Sequence, residues 1–325
     1  MDLRAFMKAL NEAAAEAVTT AAGEGQGVDY AFDEPMAGHT TFQVGGPADL
    51  WVRPKGEVFP AFAGLLLSRA REAGIPVFIL GGGANILVGD RGIRGIVLDT
   101  GGWTGLREEG ERVFIKSGTP VDDMCAYVAG QGLSGLEFLA GMPGTLGGAV
   151  WMNARCYEKS LSDVLFSVTA LNYNKPKPET CEIFRTPGDF GYKRSPFQGK
   201  AALIVGATVE LRAGASEKIR AEMAEHRRDR ESKGHYRYPS AGSAFKNNRD
   251  FGKPTGQIID ELGLKGFRVG GAQIAPWHGN IVINRSGASA ADIRSLLEQV
   301  AARVKTERGL CLEREILLVG EWTNP

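Results

Sequence analysis

A chain of 325 residues, 43% of them hydrophobic and 8% aromatic, can bury two or three packed cores. Lys and Arg together number 38, and so do Asp and Glu. No surplus of positive charge therefore argues for nucleic acid or an anionic membrane as the main partner, and any anion is bound locally.

The N-terminal stretch MDLRAFMKALNEAAAEAVTTAAGEG places Leu3, Phe6, Met7, Leu10, Ala14 and Val18 at helical spacing. Asp2, Glu12 and Glu16 interrupt the apolar run that a signal peptide or membrane span needs, which points to the cytoplasm. The segment reads as an amphipathic helix laid on the body before a Gly-rich linker, with no chemistry of its own.

Next comes FILGGGANILVGDRG, from Phe78 to Gly92. Three glycines ending an apolar run mean that the backbone comes close to something, often a phosphate. A doubly wound dinucleotide site would open a helix there. Instead ILV, GDRG and IRGIVLDT follow, which read as strand, tight turn and strand. Two readings stay open: a nest of backbone N–H groups between strands, and an ordinary Gly-rich hairpin.

The segment GLSGLEFLAGMPGTLGGAVWMNA carries Gly132, Gly135, Gly141, Gly144, Gly147 and Gly148 in apolar surroundings. So many glycines cost conformational entropy and suggest a backbone pressed against a flat partner or a neighbouring element. After the Pro143–Gly144 turn, Thr145 to Ala154 is expected to open a short helix whose N–H groups are free for a phosphate. Further on, AALIVGATVEL reads as a strand and SEKIRAEMAEHRRDRESKG as a basic helix. His226 to Arg230 there are either a solvated face or neighbours of a diphosphate. In ASAADIRSLLEQVAARVKTERG, Ser289 and Asp292 form a capping-box-like start. Ile293, Leu296, Leu297, Val300 and Val304 face a core, and Gly309 stops the helix. It supports a closing strand, LCLEREILLVG, whose alternation puts Cys311, Glu313, Glu315 and Leu317 on one face. Cys125, Cys156, Cys181 and Cys311 lack the pairing of a zinc site or disulfide scaffold and read as buried free thiols, so no metal is expected.

Taken in order, HTTFQVGGPADLWVRP, LGGGANILV, GLSGLEFLAGMPGTLGGAVWMNA, FGYKRSPF, PSAGSAFKN, LKGFRVGGAQI and LEREILLVG resemble the UDP-N-acetylenolpyruvoylglucosamine reductase (MurB) family over about Gly38 to Gly320. The spacing from Lys193 to Ser243 resembles its shorter subtype, which lacks an inserted loop that closes a Tyr over the substrate. The resemblance implies an α+β fold: an FAD-binding domain of vanillyl-alcohol-oxidase (PCMH) type made of two subdomains, plus a C-terminal α/β substrate-binding domain. It further implies FAD in the cleft between the halves, NADPH as hydride donor, a UDP-sugar substrate of peptidoglycan synthesis, and a monomer. The expected division is 1–25 as a helical extension, 26–212 as the FAD-binding domain and 213–325 as the substrate-binding domain.

The resemblance also assigns residues. Gly81, Gly82, Gly83, Ala84, Asn85 and Ile86 would cradle the FAD pyrophosphate, with Gly141, Pro143, Gly144, Thr145, Gly147, Gly148 and Ala149 on the cofactor's other side. Ala84 stands where the family often has Ser. Reducing a vinyl ether needs a hydride at the terminal carbon, a proton at its neighbour and a stabiliser for the charge that spreads into the carboxylate. Flavin supplies the first. Ser243 matches the family's proton donor, although beside Gly242 it would by itself read as a turn residue. A serine hydroxyl is a poor acid unless neighbours favour loss of its proton, and Lys246 and Asn247 are near in sequence. Glu315 matches the family's catalytic Glu, although carboxylates on an edge strand would by themselves read as solvated.

The family's catalytic Arg aligns with Lys193, and Arg194 follows it. Lys keeps the charge and loses the bidentate fork, so either Lys193 acts as a point charge or Arg194 reaches in. Arg155 replaces a Gly and Leu317 an Arg of the family pattern. Arg155 could restore positive charge near the substrate or serve only at the surface. Tyr157, Tyr192, Asn247, Lys265 and His278 align with substrate contacts. Two rivals stand beside this reading: an FAD-dependent oxidase of the same fold acting on another substrate, and an FAD-binding homologue that has lost activity.

Overall fold

The structure, a computed structural model, describes residues 2–20, 27–175 and 178–322. It is an α+β fold with seven α-helices among the described residues: α1 (Leu3–Thr20), α2 (Phe59–Glu72), α3 (Val121–Gly130), α4 (Leu146–Met152), α5 (Ser216–Ser232), α6 (Thr255–Glu261) and α7 (Ala290–Arg308). None is long and apolar enough to cross a membrane. Contacts divide the chain into two compact units. The first holds Met1–Phe32, Leu50–Gly82 and Gly95–Arg228; the second holds Asp33–Asp49, Gly83–Arg94 and Asp229–Pro325. Both units are thus assembled from three separate pieces of chain.

The first unit has two cores. In α2, Phe59, Phe62, Ala63, Leu66, Leu67 and Ala70 recur at i, i+3, i+4, i+7, i+8 and i+11, the stripe that one helix face presents to a sheet. They pack on Leu50, Val52, Ile96 and Leu98, and Phe6, Met7, Leu10 and Ala14 of α1 join the same core. The N-terminal helix therefore lies on the body as its periodicity implies; Val18 and the linker after Thr20 lie outside the described side chains. Fully burying each Phe or Leu is worth about 1.5–3 kcal/mol, which is what holds α1 in place. The second core lies under a five-stranded antiparallel sheet in the order Glu179–Phe184, Leu165–Asn172, Ala202–Glu210, Arg112–Lys116, Leu106–Glu109. Helices α3 and α4 cover it through Met124, Val128, Leu146 and Val150.

In the second unit, four strands lie in the order Ser240–Ser243, Ile281–Asn284, Ala272–Ile274, Arg268–Val269. Helix α7 buries the five expected residues against them, begins with the expected Ser289–Asp292 capping box, and ends at Gly309 with φ +70°. The chain after the glycines forms strand Ile86–Val88, turn and strand Ile93–Asp99, with no helix. Ile86–Val88 pairs in parallel with Leu317–Val319.

The closing segment departs from the expected strand. Only the Arg314 bridge to Phe245 and Leu317–Val319 are laddered, and burial does not alternate: Glu315 and Ile316 are both buried. The cysteines also differ from expectation. Cys125 is buried, where burial first, then Asp122 and Glu137, pushes its thiol well up. Cys156 is half-buried, and Cys181 and Cys311 are exposed. Cys181 sits on edge strand Glu179–Phe184, every residue of which faces solvent.

Asp90 ties two distant pieces of the second unit. Its carboxylate accepts from the N–H groups of Ala290 at 2.8 Å and Ala291 at 2.9 Å, capping α7 from two hundred residues away. Asp90→Ala is expected to lower unfolding free energy by about 1 kcal/mol. Denaturant titration of the variant against wild type measures it, and an unchanged midpoint would remove the cap from the list of stabilising contacts.

Candidate active site

In the first unit the two glycine segments meet. A methyl group on Gly82 would stand 2.6 Å from Gly144 Cα, and one on Gly81 2.9 Å from Thr145 Oγ1. Only glycine admits that approach. Thr145 Oγ1 and Ser117 Oγ are both buried without a hydrogen-bond partner. A buried hydroxyl left so costs about 1–3 kcal/mol, a cost relieved by any oxygen-rich ligand laid along this backbone. The opening of α4 differs from expectation: Leu146 N–H donates to Thr119 O and Gly147 N–H to Ser117 O, so these two are already used. The segment Ser117–Thr119 runs alongside and accepts both bonds. Gly141 N–H donates to Asp122 Oδ1, and Gly144 has φ +117°, so those glycines serve the turn.

A rigid loop carries Lys193. Gly191 and Arg194 exchange main-chain hydrogen bonds, which puts Tyr192 and Lys193 at the tip, Lys193 with φ +56°. A left-handed conformation is uncommon outside glycine and persists only where the surroundings enforce it. Here they do. Asn153 Nδ2 donates to Gly191 O at 2.9 Å, Gln198 Nε2 to Lys193 O at 3.1 Å, and buried Ser195 Oγ to Trp151 O at 2.7 Å. Arg194 is exposed and folds back, its Nε 3.4 Å from where a Gly191 methyl would be. The Arg155 guanidinium lies over the Tyr192 ring, 5.9 Å from its centroid. Tyr157 stacks on His226 with centroids 4.0 Å apart and donates to His226 O. Arg227 is paired with Asp122. These last contacts engage His226 and Arg227 of the basic helix.

In the second unit, Gly83 has φ +60° and its methyl would fall 2.0 Å from His39 O. Asn85 does more than line a loop: its Nδ2 donates to Glu315 O at 3.0 Å while its own carbonyl accepts from Leu317 N–H. Strand Ser240–Ser243 bulges against its partner, Ala241 and Gly242 standing opposite Val282 alone, with Gly242 at φ +71°. A bulge re-aims the side chain beyond it, here Ser243. The next residue meets the Glu315 segment: Glu315 N–H donates to Ala244 O at 2.9 Å. Glu315 is 8% exposed, whereas Glu313 is exposed and bonded to Lys246 Nζ at 2.5 Å. Lys246 therefore serves Glu313, contrary to its expected help to Ser243. Asn247 Oδ1 accepts from Thr255 N–H at the start of α6, and Lys265 is paired with Asp260.

The UDP-N-acetylenolpyruvoylglucosamine reductase of Treponema denticola is 41% identical over 305 residues, covering 90% of this chain and 94% of that protein. The chain belongs to the UDP-N-acetylenolpyruvoylglucosamine reductase family. The reductase of that name from Borreliella burgdorferi is 41% identical over 88% of this chain and 93% of its own. The crystal structure of the Thermus caldophilus reductase superposes with a TM-score of 0.74 at 32% identity, covering 90% of this chain and 99% of that one. The C-terminal domain of the reductase family matches residues 234–319 and the FAD binding domain family residues 65–175. Sequence reading did not single out Ser117, whose buried hydroxyl has no partner, or the buried Asn280. The signal for Ser117 was a polar Ser-Gly-Thr stretch after a buried strand; for Asn280 there was only its neighbour His278.

His278 Nδ1 accepts from Asn280 N–H, and its ring lies 6.3 Å from that of His235. Burial lowers the pKa of both, and that of His235 falls to about 4, with Arg230, His278 and Lys233 adding to the effect. A histidine whose pKa is lowered by folding is protonated first in the unfolded chain, so stability is full above the ordinary value of 6.5 and is lost toward 4. Urea midpoints measured across that range should fall with pH in wild type. They should fall less in His235→Gln; equal slopes would clear His235 of the effect.

Proposed function

We propose that this chain reduces UDP-N-acetylglucosamine enolpyruvate to UDP-N-acetylmuramate, with NADPH as hydride source, FAD as carrier, and Ser243, Glu315 and Lys193 as the working side chains. The observation that supports these roles is main-chain coupling: the segment behind Ser243 and the buried Glu315 are one hydrogen bond apart. Family membership supports the reaction, and the backbone approach of Gly82 to Gly144 with the unpartnered Thr145 and Ser117 hydroxyls supports a fit to FAD. We assign the cofactor to Gly81, Gly82, Thr145, Gly147, Gly148 and Ala149, where the two glycine segments of the first unit meet.

Bound FAD supplies hydride transfer to the terminal carbon of the vinyl ether. Negative charge then moves toward the substrate carboxylate, where Lys193 acts as a compact positive charge on a fixed loop tip. Ser243 delivers the proton to the neighbouring carbon, and Glu315 polarises the substrate. Tyr157, Tyr192, Asn247, Lys265 and His278 bind the UDP-sugar in this reading. It also places the enzyme in the cytoplasm as a monomer, with a division of labour near residue 212 between cofactor and substrate binding.

The deciding measurement is anaerobic stopped-flow on the holoenzyme. NADPH should bleach the flavin, and the enolpyruvyl UDP-sugar should restore it. Ser243→Ala should leave the first step unchanged and slow the second by about 10²–10⁴-fold. Rapid reoxidation by oxygen without NADPH consumption would replace this reading by an oxidase. In the same assay, Lys193→Met should cost about 10²–10³-fold in reoxidation. Arg194→Met should cost little; the reverse order would move the charge role to Arg194.

A further inference from the structure

Asn280 is 3% exposed, and all four of its polar atoms are used around one short peptide run. Its carbonyl accepts from Ala244 N–H at 2.8 Å, and its N–H donates to His278 Nδ1 at 3.1 Å. Its side-chain Oδ1 accepts from Phe245 N–H at 2.9 Å, and Nδ2 donates to Phe245 O at 2.8 Å. The side chain thus performs the work of a main-chain partner. The ladder pairs Ser243 with Ile281, and continuing it would set Phe245 against Gly279. Gly279 is instead in a turn closed by Ile281 N–H on His278 O, and it packs so tightly on Gly256 that a methyl would fall 2.2 Å from Gly256 O. The carboxamide offers a donor and an acceptor side by side, as a strand edge does.

Ser243 therefore sits between two devices. Before it, the Ala241–Gly242 bulge turns the chain; after it, Ala244 and Phe245 are held by Asn280 on one side and by the Arg314–Glu315 segment on the other. We infer that Asn280 is a positioning residue for the Ser243 hydroxyl, acting through the peptide run 244–245 without touching substrate. The inference rests on the reading of Ser243 as proton donor. A displacement of about 1 Å at a reacting group costs about 10²-fold, so loss of this clamp should appear in the proton-delivery step alone.

The experiment is a double-mutant cycle on FAD-loaded enzyme, read in the two half-reactions by stopped-flow. Asn280→Ala should keep the flavin spectrum and the rate of reduction by NADPH while slowing reoxidation by the enolpyruvyl UDP-sugar about 10²-fold. If Asn280 acts through Ser243, adding Asn280→Ala to Ser243→Ala should slow reoxidation by no more than about twofold further. Independent, multiplicative slowing would overturn the inference, and so would wild-type reoxidation in Asn280→Ala. Unchanged reoxidation in Ser243→Ala by itself would instead overturn the reading on which it rests. Should Asn280→Ala not fold, Asn280→Asp decides by the same cycle. It keeps volume and the acceptor for Phe245 N–H but sets an oxygen against Phe245 O, so it too should slow reoxidation only where Ser243 is present.

Discussion

Three peptide groups behind Ser243 are gripped from two sides, and the placement of the candidate acid depends on that grip. Ala244, Phe245 and Lys246 make main-chain bonds to Asn280 on one flank and to Glu313 and Glu315 on the other. A hydroxyl is a weak acid, so its usefulness lies in where it is held more than in what it is. The same bonds hold Glu315, whose carbonyl is bound in turn by Asn85. One network of neutral amides thereby fixes the candidate acid, the candidate polarising carboxylate and the end of the glycine loop.

The glycine segments obey a related logic of close approach. At Gly82 and Gly83 no side chain fits, because backbone already stands at 2.6 Å and 2.0 Å from the methyl position. At Gly242 there is room, and the positive φ alone demands glycine. Two physical causes, crowding and backbone handedness, thus produce the same letter in the sequence. The hydroxyls of Thr145 and Ser117, buried and unpartnered, mark where the crowded backbone still has bonds to give.

Lys193 is carried by a loop tip held by several side-chain hydrogen bonds. Asn153, Ser195 and Gln198 hold the tip against α4, and Arg155 lies over neighbouring Tyr192. A lysine loses the planar fork that would orient it on a carboxylate. Arg194, folded over Gly191, is poorly disposed to take its place.

Helical periodicity made α1 and α7 legible, down to the Ser289–Asp292 box and the Gly309 stop. The chemistry of strand and turn residues likewise ruled out a helix after Gly83. Those features depend on neighbours within a few positions, so the sequence by itself determined them, and the ordered motifs determined the family. Alternation by itself could not separate Glu313 from Glu315, and only the motif resemblance picked Glu315; the bend after Arg314 is what buries Glu315 and leaves Glu313 to Lys246. Nor could the sequence show Asn85 reaching Glu315, Asp90 capping α7, or Asn280 standing in for a strand. Each joins positions 35 to 230 residues apart, and a hydrogen bond across that separation leaves no local periodicity or turn chemistry to read. Tertiary structure alone decided them, because only folding brings a short polar side chain within 3 Å of a distant peptide group.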